Sequence, residues 1–132
     1  MPYVLHFAFM ETQEKYIHYW CRCRDEQHAQ NQQLALLARA DLQQIVACLV
    51  REFGATQIIL FGSLARGRFT EGSDIDLAVE GIPPSEYFAA LAAVNDLTSL
   101  WVDLKPLEAL IPHFRRRVLE TGELIYAKDN QQ

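Results

Sequence analysis

Between Phe61 and Gly81 the chain reads FGSLARGRFTEGSDIDLAVEG, which sets Gly62-Ser63 ten residues ahead of Asp74-Ile75-Asp76. Carboxylates one residue apart on an extended strand project to the same side, where their oxygens can hold hard divalent cations. A glycine-serine turn lets backbone N–H groups come close to an anion. A third acid, Asp103, stands in LWVDLKPL with Trp101 on the face opposite Leu100, Val102 and Leu104. Carboxylates that hold Mg²⁺ beside a turn that receives phosphates are the parts required for metal-dependent nucleotidyl transfer, which runs mostly on positioning and charge neutralisation.

Two rival signatures fail on the same stretch. Gly62 to Gly67 has the spacing of a Walker A loop, but Arg68 and Phe69 stand where the lysine and the magnesium-binding hydroxyl belong. An EF-hand starting at the aspartates would put Ala78 and Val79 where an oxygen ligand and the obligatory glycine are needed. An isolated Asp-x-Asp is usually a solvated strand face or a turn. The glycine-serine turn before it, the buried strands around it and the third acid after it weigh against that bland account.

Positioning these residues requires strands with helices packed on them. Leu34, Leu37, Ala38, Leu42, Ile45, Leu49 and Phe53 recur at helical spacing, with Gly54 where a helix commonly stops. TQIILFGS is a buried strand, and SDIDLAVEG alternates so that Ile75, Leu77 and Val79 face away from Asp74, Asp76 and Ala78. Pro83-Pro84 opens a helix over Ser85 to Leu97, LWVDLKPL is a third strand, and Leu107, Leu110, Ile111, Phe114 and Val118 mark a helix ending near Gly122. ELIYA closes the chain as a short strand. The fold class is α/β (α+β), a mixed sheet with packed helices.

At 132 residues the chain holds one ordinary domain with an appendage. Residues 34–132 form that domain, and residues 1–33 form an N-terminal extension: YVLHFAF is a strand or hydrophobic arm, and the amide-rich QHAQNQQ is a linker. A net charge of −5 argues against a broad nucleic-acid surface, because polyanion affinity comes from Lys and Arg. No apolar stretch approaches the twenty residues of a membrane span, and no signal peptide is evident, so a soluble, cytoplasmic protein is expected. The three cysteines, Cys21, Cys23 and Cys48, imply no disulfide framework there. His18, Cys21, Cys23 and His28 lack the usual zinc spacing, and Arg115-Arg116-Arg117 is most simply a solvated helix face.

Gly62-Ser63, ten residues and Asp74-Ile75-Asp76 resemble the signature of the polymerase-beta-like nucleotidyltransferases, and GSLARG with SDIDL is similar to their minimal, single-domain branch (MNT). The resemblance runs from about Leu34 to Ala127. It implies that Gly62 and Ser63 hold the nucleotide phosphates, that Asp74 and Asp76 bind two Mg²⁺ ions, and that Asp103 binds a metal and helps deprotonate the attacking hydroxyl. Arg66 is a further candidate for triphosphate contact, with Arg68 behind it, and Ser73 either caps its turn or touches phosphate. The branch further implies the antitoxin of a type VII-like pair, which inactivates a HEPN-domain ribonuclease toxin by transferring AMP from ATP to one of its tyrosines and forms a hetero-oligomer with it. Two alternatives stay open: nucleotidyl transfer to a small molecule of the aminoglycoside type, and a non-catalytic antitoxin that acts by binding.

Overall fold

A computed structural model describes residues 2–129, with side chains described from Glu11 onward. Helix α1, Pro2–Phe53, is a single helix that carries straight through the amide-rich stretch expected to be a linker, and its first turns include the segment expected to be a strand or arm. The physical reason is local. No glycine or proline occurs between Tyr3 and Phe53, glutamine and alanine are good helix formers, and Gln27 Nε2 donates to Asn31 Oδ1 at 3.2 Å one turn on. Gly54, at φ +75°, ends the helix, and the Ala55 N–H turns back onto the Leu49 carbonyl at 3.0 Å.

Four strands follow: β1 (Gln57–Phe61), β2 (Ile75–Glu80), β3 (Val102–Pro106) and β4 (Glu123–Ala127). They form a mixed sheet in the order β3-β2-β1-β4, with β1 antiparallel to both neighbours and β2 parallel to β3. A parallel pair needs a crossover. A 3-10 turn, Pro84–Glu86, and helix α2, Tyr87–Asn95, supply it. The register of β4 on β1 slips between Ile58 and Ile59, which leaves a bulge at Ile125.

Strand alternation gives the sheet two different faces. On one, Ile58, Leu60, Ile75, Leu77, Val79 and Val102 are buried beneath Ala38, Leu42, Ile45 and Leu49 of α1 and Ala90 and Val94 of α2. The stretch Glu11–Phe53 of α1 includes an eighteen-residue window of mean hydropathy 1.3 that meets the length and composition of a membrane span; on this helix Ala38, Leu42, Ile45 and Leu49 pack on the sheet while Leu36 and Leu37 stay exposed. On the other face a smaller cluster joins Ile59, Ala78, Leu107 and Val118 to the half-buried Phe61, Leu110 and Phe114.

The helix expected from Leu107 begins later, as α3, Pro112–Thr121. Pro112 restricts the residue before it, and Ile111 is extended at φ −61°, ψ 146°, so Leu107–Ala109 forms a separate 3-10 turn. Phe61 and Phe114 meet edge to face at 5.8 Å and anchor α3 to the end of β1.

Candidate active site

The acids lie on the α3 face, at the end of the sheet where β1 stops and β2 and β3 begin. Asp76 is paired with Phe61 across β1 and with Asp103 across β3, so the two carboxylates spring from adjacent strands at the same level. Neighbouring strands lie roughly 4.8 Å apart, which puts both groups within reach of one ligand. Asp74 stands two residues upstream, just ahead of β2, with its side chain exposed.

Gly62 follows β1 directly, at φ +77°, a backbone conformation that side chains disfavour. A Cβ built there would run into the Asp76 carboxylate and lie 3.2 Å from its Cγ. The absent side chain is therefore what lets the turn and the acid approach each other. The turn is held by its own backbone, with Arg66 N–H donating to the Gly62 carbonyl at 3.1 Å and Arg68 N–H to the Ser63 carbonyl at 2.8 Å.

Asp76 is half-buried, and desolvation is the first cause that lifts its pKa to about 6. The charges of Asp103 and Asp74 raise it further, and Lys105 opposes them. Lys105 Nζ sits 3.4 Å from Asp103 Oδ2, on the same face because it lies two residues along β3. The arrangement concentrates negative charge, opposed at Asp76 by Lys105. Its hard oxygen donors suit Mg²⁺. Among the described residues no three acids, histidines or cysteines are gathered closely enough to enclose an ion, so the carboxylates form an open array rather than a closed cage.

The other expected site residues divide. Ser63 is half-buried within the turn, and Arg66 is exposed beside it. The Ser73 oxygen accepts the Thr70 N–H at 3.0 Å and lies 3.2 Å from the Thr70 hydroxyl, so it braces the loop before Asp74. Arg68 lines a groove shared with His28, Asn31 and Arg39 of α1 rather than the acid end of the sheet. His18, Cys21, Cys23 and His28 share one helix and come together in no metal-binding group among the described residues.

Two contributors were not singled out from the sequence. Lys105 was findable, since alternation puts it on the face of Asp103. Asn95, the last residue of α2, was not: its Nδ2 donates to the Val102 carbonyl at 3.0 Å and its Oδ1 accepts the Val102 N–H at 2.8 Å. Both backbone groups of the residue before Asp103 are thus gripped by one amide, which fixes the start of β3.

Known proteins share this fold. The family model described as "Polymerase beta, Nucleotidyltransferase" matches residues 43–131. A solved structure of a candidate minimal nucleotidyltransferase is 30% identical, with TM-score 0.59, covering 69% of this chain and 93% of the other. A toxin–antitoxin structure with AMP-PNP is 22% identical, with TM-score 0.57, covering 65% of this chain and 73% of the other. A mutant of the MntA–HpeT toxin–antitoxin pair is 23% identical, with TM-score 0.55, covering 66% and 73%. These last two establish likeness of fold. No curated protein matches significantly.

Proposed function

The chain belongs to the polymerase beta nucleotidyltransferase family, and from that premise we propose that it is the antitoxin of a toxin–antitoxin pair, transferring AMP from ATP to a tyrosine of a HEPN-domain ribonuclease. The observation that carries the transfer chemistry is the juxtaposition of Asp76, Asp103 and the side-chain-free Gly62 at one end of the sheet. The antitoxin role draws its support from the fold shared with two toxin–antitoxin structures, one of which contains AMP-PNP.

In the proposed reaction Gly62 and Ser63 receive the triphosphate through backbone N–H groups, and Arg66 adds a cation at the rim of the turn. The tyrosine oxygen attacks the α-phosphorus, a P–O bond forms, and the bond to the bridging oxygen breaks to release pyrophosphate. Mg²⁺, when held by Asp74, Asp76 and Asp103, would supply charge neutralisation to the attacking and leaving oxygens. A tyrosine hydroxyl has an unperturbed pKa near 10, so its proton needs an acceptor. Asp103, beside Asp76 and next to Lys105, takes that role.

The test is incubation of the protein with α-labelled ATP, Mg²⁺ and the product of its neighbouring gene. Label is expected on a tyrosine of the neighbour and is expected to vanish with Asp76→Asn. Labelling that persists in this variant removes the catalytic assignment. Neutralisation of the neighbour by the doubly substituted Asp74→Asn, Asp76→Asn chain removes the need for transfer at all and leaves a binding antitoxin.

A further inference from the structure

The core-facing stripe of α1 does not stop where the sheet stops. At about 100° per residue, Tyr16, Trp20, Cys23 and Gln27 fall on the same side of the helix as Leu34 and Ala38, the first α1 residues to pack on the core. Asn31 still shares a groove with Arg68 and Phe69, but further toward the N-terminus the stripe is largely uncovered: Tyr16 is 62% exposed and Trp20 54% exposed. Their rings meet edge to face at 6.0 Å, and Trp20 meets Tyr19 at the same distance. An aromatic ridge thus projects from the domain on a continuous helix, in line with a surface that is buried elsewhere.

We infer that this ridge is the interface of an antiparallel homodimer, formed with the extension of a second copy. Area supports it. Aromatic side chains bury roughly 150–250 Å² each, so half-covering Tyr16, Tyr19 and Trp20 from two copies provides about half of the roughly 1,200 Å² at which stable interfaces begin. The flanking stems of residues 11–25, about 22 Å of helix in the register derived below, add to it. Charge permits it. Residues 11–33 carry three basic and four acidic side chains, so two copies of the extension meet with mixed signs, whereas most of the net charge of −5 lies on the rest of the chain.

The fold itself selects the orientation. From Ala38 onward the stripe is covered by the chain's own sheet, so a parallel partner helix would run into that sheet. An antiparallel partner places the two domains at opposite ends and leaves each sheet undisturbed. Matching the aromatic layers sets Tyr16 of one copy against Trp20 of the other, and this register brings residue 13 opposite residue 23.

Sedimentation of the full 15.1-kDa chain tests the proposal. A dimer at micromolar concentration is expected. Tyr16→Glu with Trp20→Glu is expected to weaken it at least about a hundredfold, with the far-ultraviolet helix signal of the folded chain retained. Gln13→Cys is expected to give an oxidised dimer linked from residue 13 to Cys23. A monomeric natural chain, a dimer indifferent to the double substitution, or a Cys23–Cys23 disulfide in the unsubstituted chain overturns the arrangement. A ridge that binds only a different protein registers as the first of these.

Discussion

Asp76 and Leu77 are consecutive residues of one strand, and they serve the molecule in opposite ways. Leu77 points into the cluster beneath α1 and α2, where it is fully buried among Ile58, Leu60 and Val79. Asp76 points to the α3 face, half-buried beside two further acids. One face of the sheet is therefore saturated with apolar contact, and the other keeps concentrated charge at its uncovered end. The difference teaches that the site is unfavourable in isolation and is held in place by the face behind it.

The sharpest way to test that contrast is Asp76→Asn. Nucleotidyl transfer is expected to fall at least about a thousandfold, roughly 4 kcal/mol of barrier, while thermal stability holds or rises because a desolvated charge disappears. Loss of both together would erase the distinction between the faces. Leu77→Ala should do the reverse, lowering unfolding stability by about 3 kcal/mol in a denaturant titration while transfer per folded molecule stays near the natural rate.

Gly62→Ala lies where the two faces' demands meet. It forces a side chain into a positive-φ position and against Asp76, so a loss of about 1–2 kcal/mol is expected together with weaker ATP binding by calorimetry. The pH response is smaller. Asp76 titrates near 6 when folded, above its reference value of 3.8, so between those values the folded state holds more protons than the unfolded one. The metal-free protein is therefore expected to lose stability as pH rises from about 4 through 6, by on the order of 1 kcal/mol once solvent screening is counted. Asp76→Asn should flatten that slope, and Mg²⁺ should bind more weakly below pH 6. Least of all, Arg39→Ala removes the exposed 2.9 Å ion pair with Glu123 that joins α1 to β4, for a change under about 0.5 kcal/mol.

Period-two alternation carries information about a whole strand, so the acid faces of β2 and β3 and the third acid were legible before any coordinates. Period 3.6 likewise exposed the packed half of α1. The first half was not legible as helix because its described apolar side chains, Tyr16, Ile17, Tyr19 and Trp20, are exposed rather than packed on the core, and amide-rich composition imitates a linker. The start of α3 was obscured for a local reason, since Leu107 and Leu110 fit a helical stripe that Pro112 interrupts. Asn95 illustrates a deeper limit. A side-chain amide binding a backbone seven residues away leaves no periodic trace, and only the folded chain reveals it.

That amide has a consequence beyond placing Asp103. β3 is an outer strand of the sheet, and an outer strand offers unpaired peptide groups on which another chain can polymerise. By occupying both groups of Val102, Asn95 imitates the missing neighbour and denies a foreign strand its foothold beside the acids. At the opposite border the bulge at Ile125 distorts β4 in the same protective sense. The four-stranded sheet of the described residues thus stays finite, and Asn95→Ala should first betray itself as slow aggregation on storage.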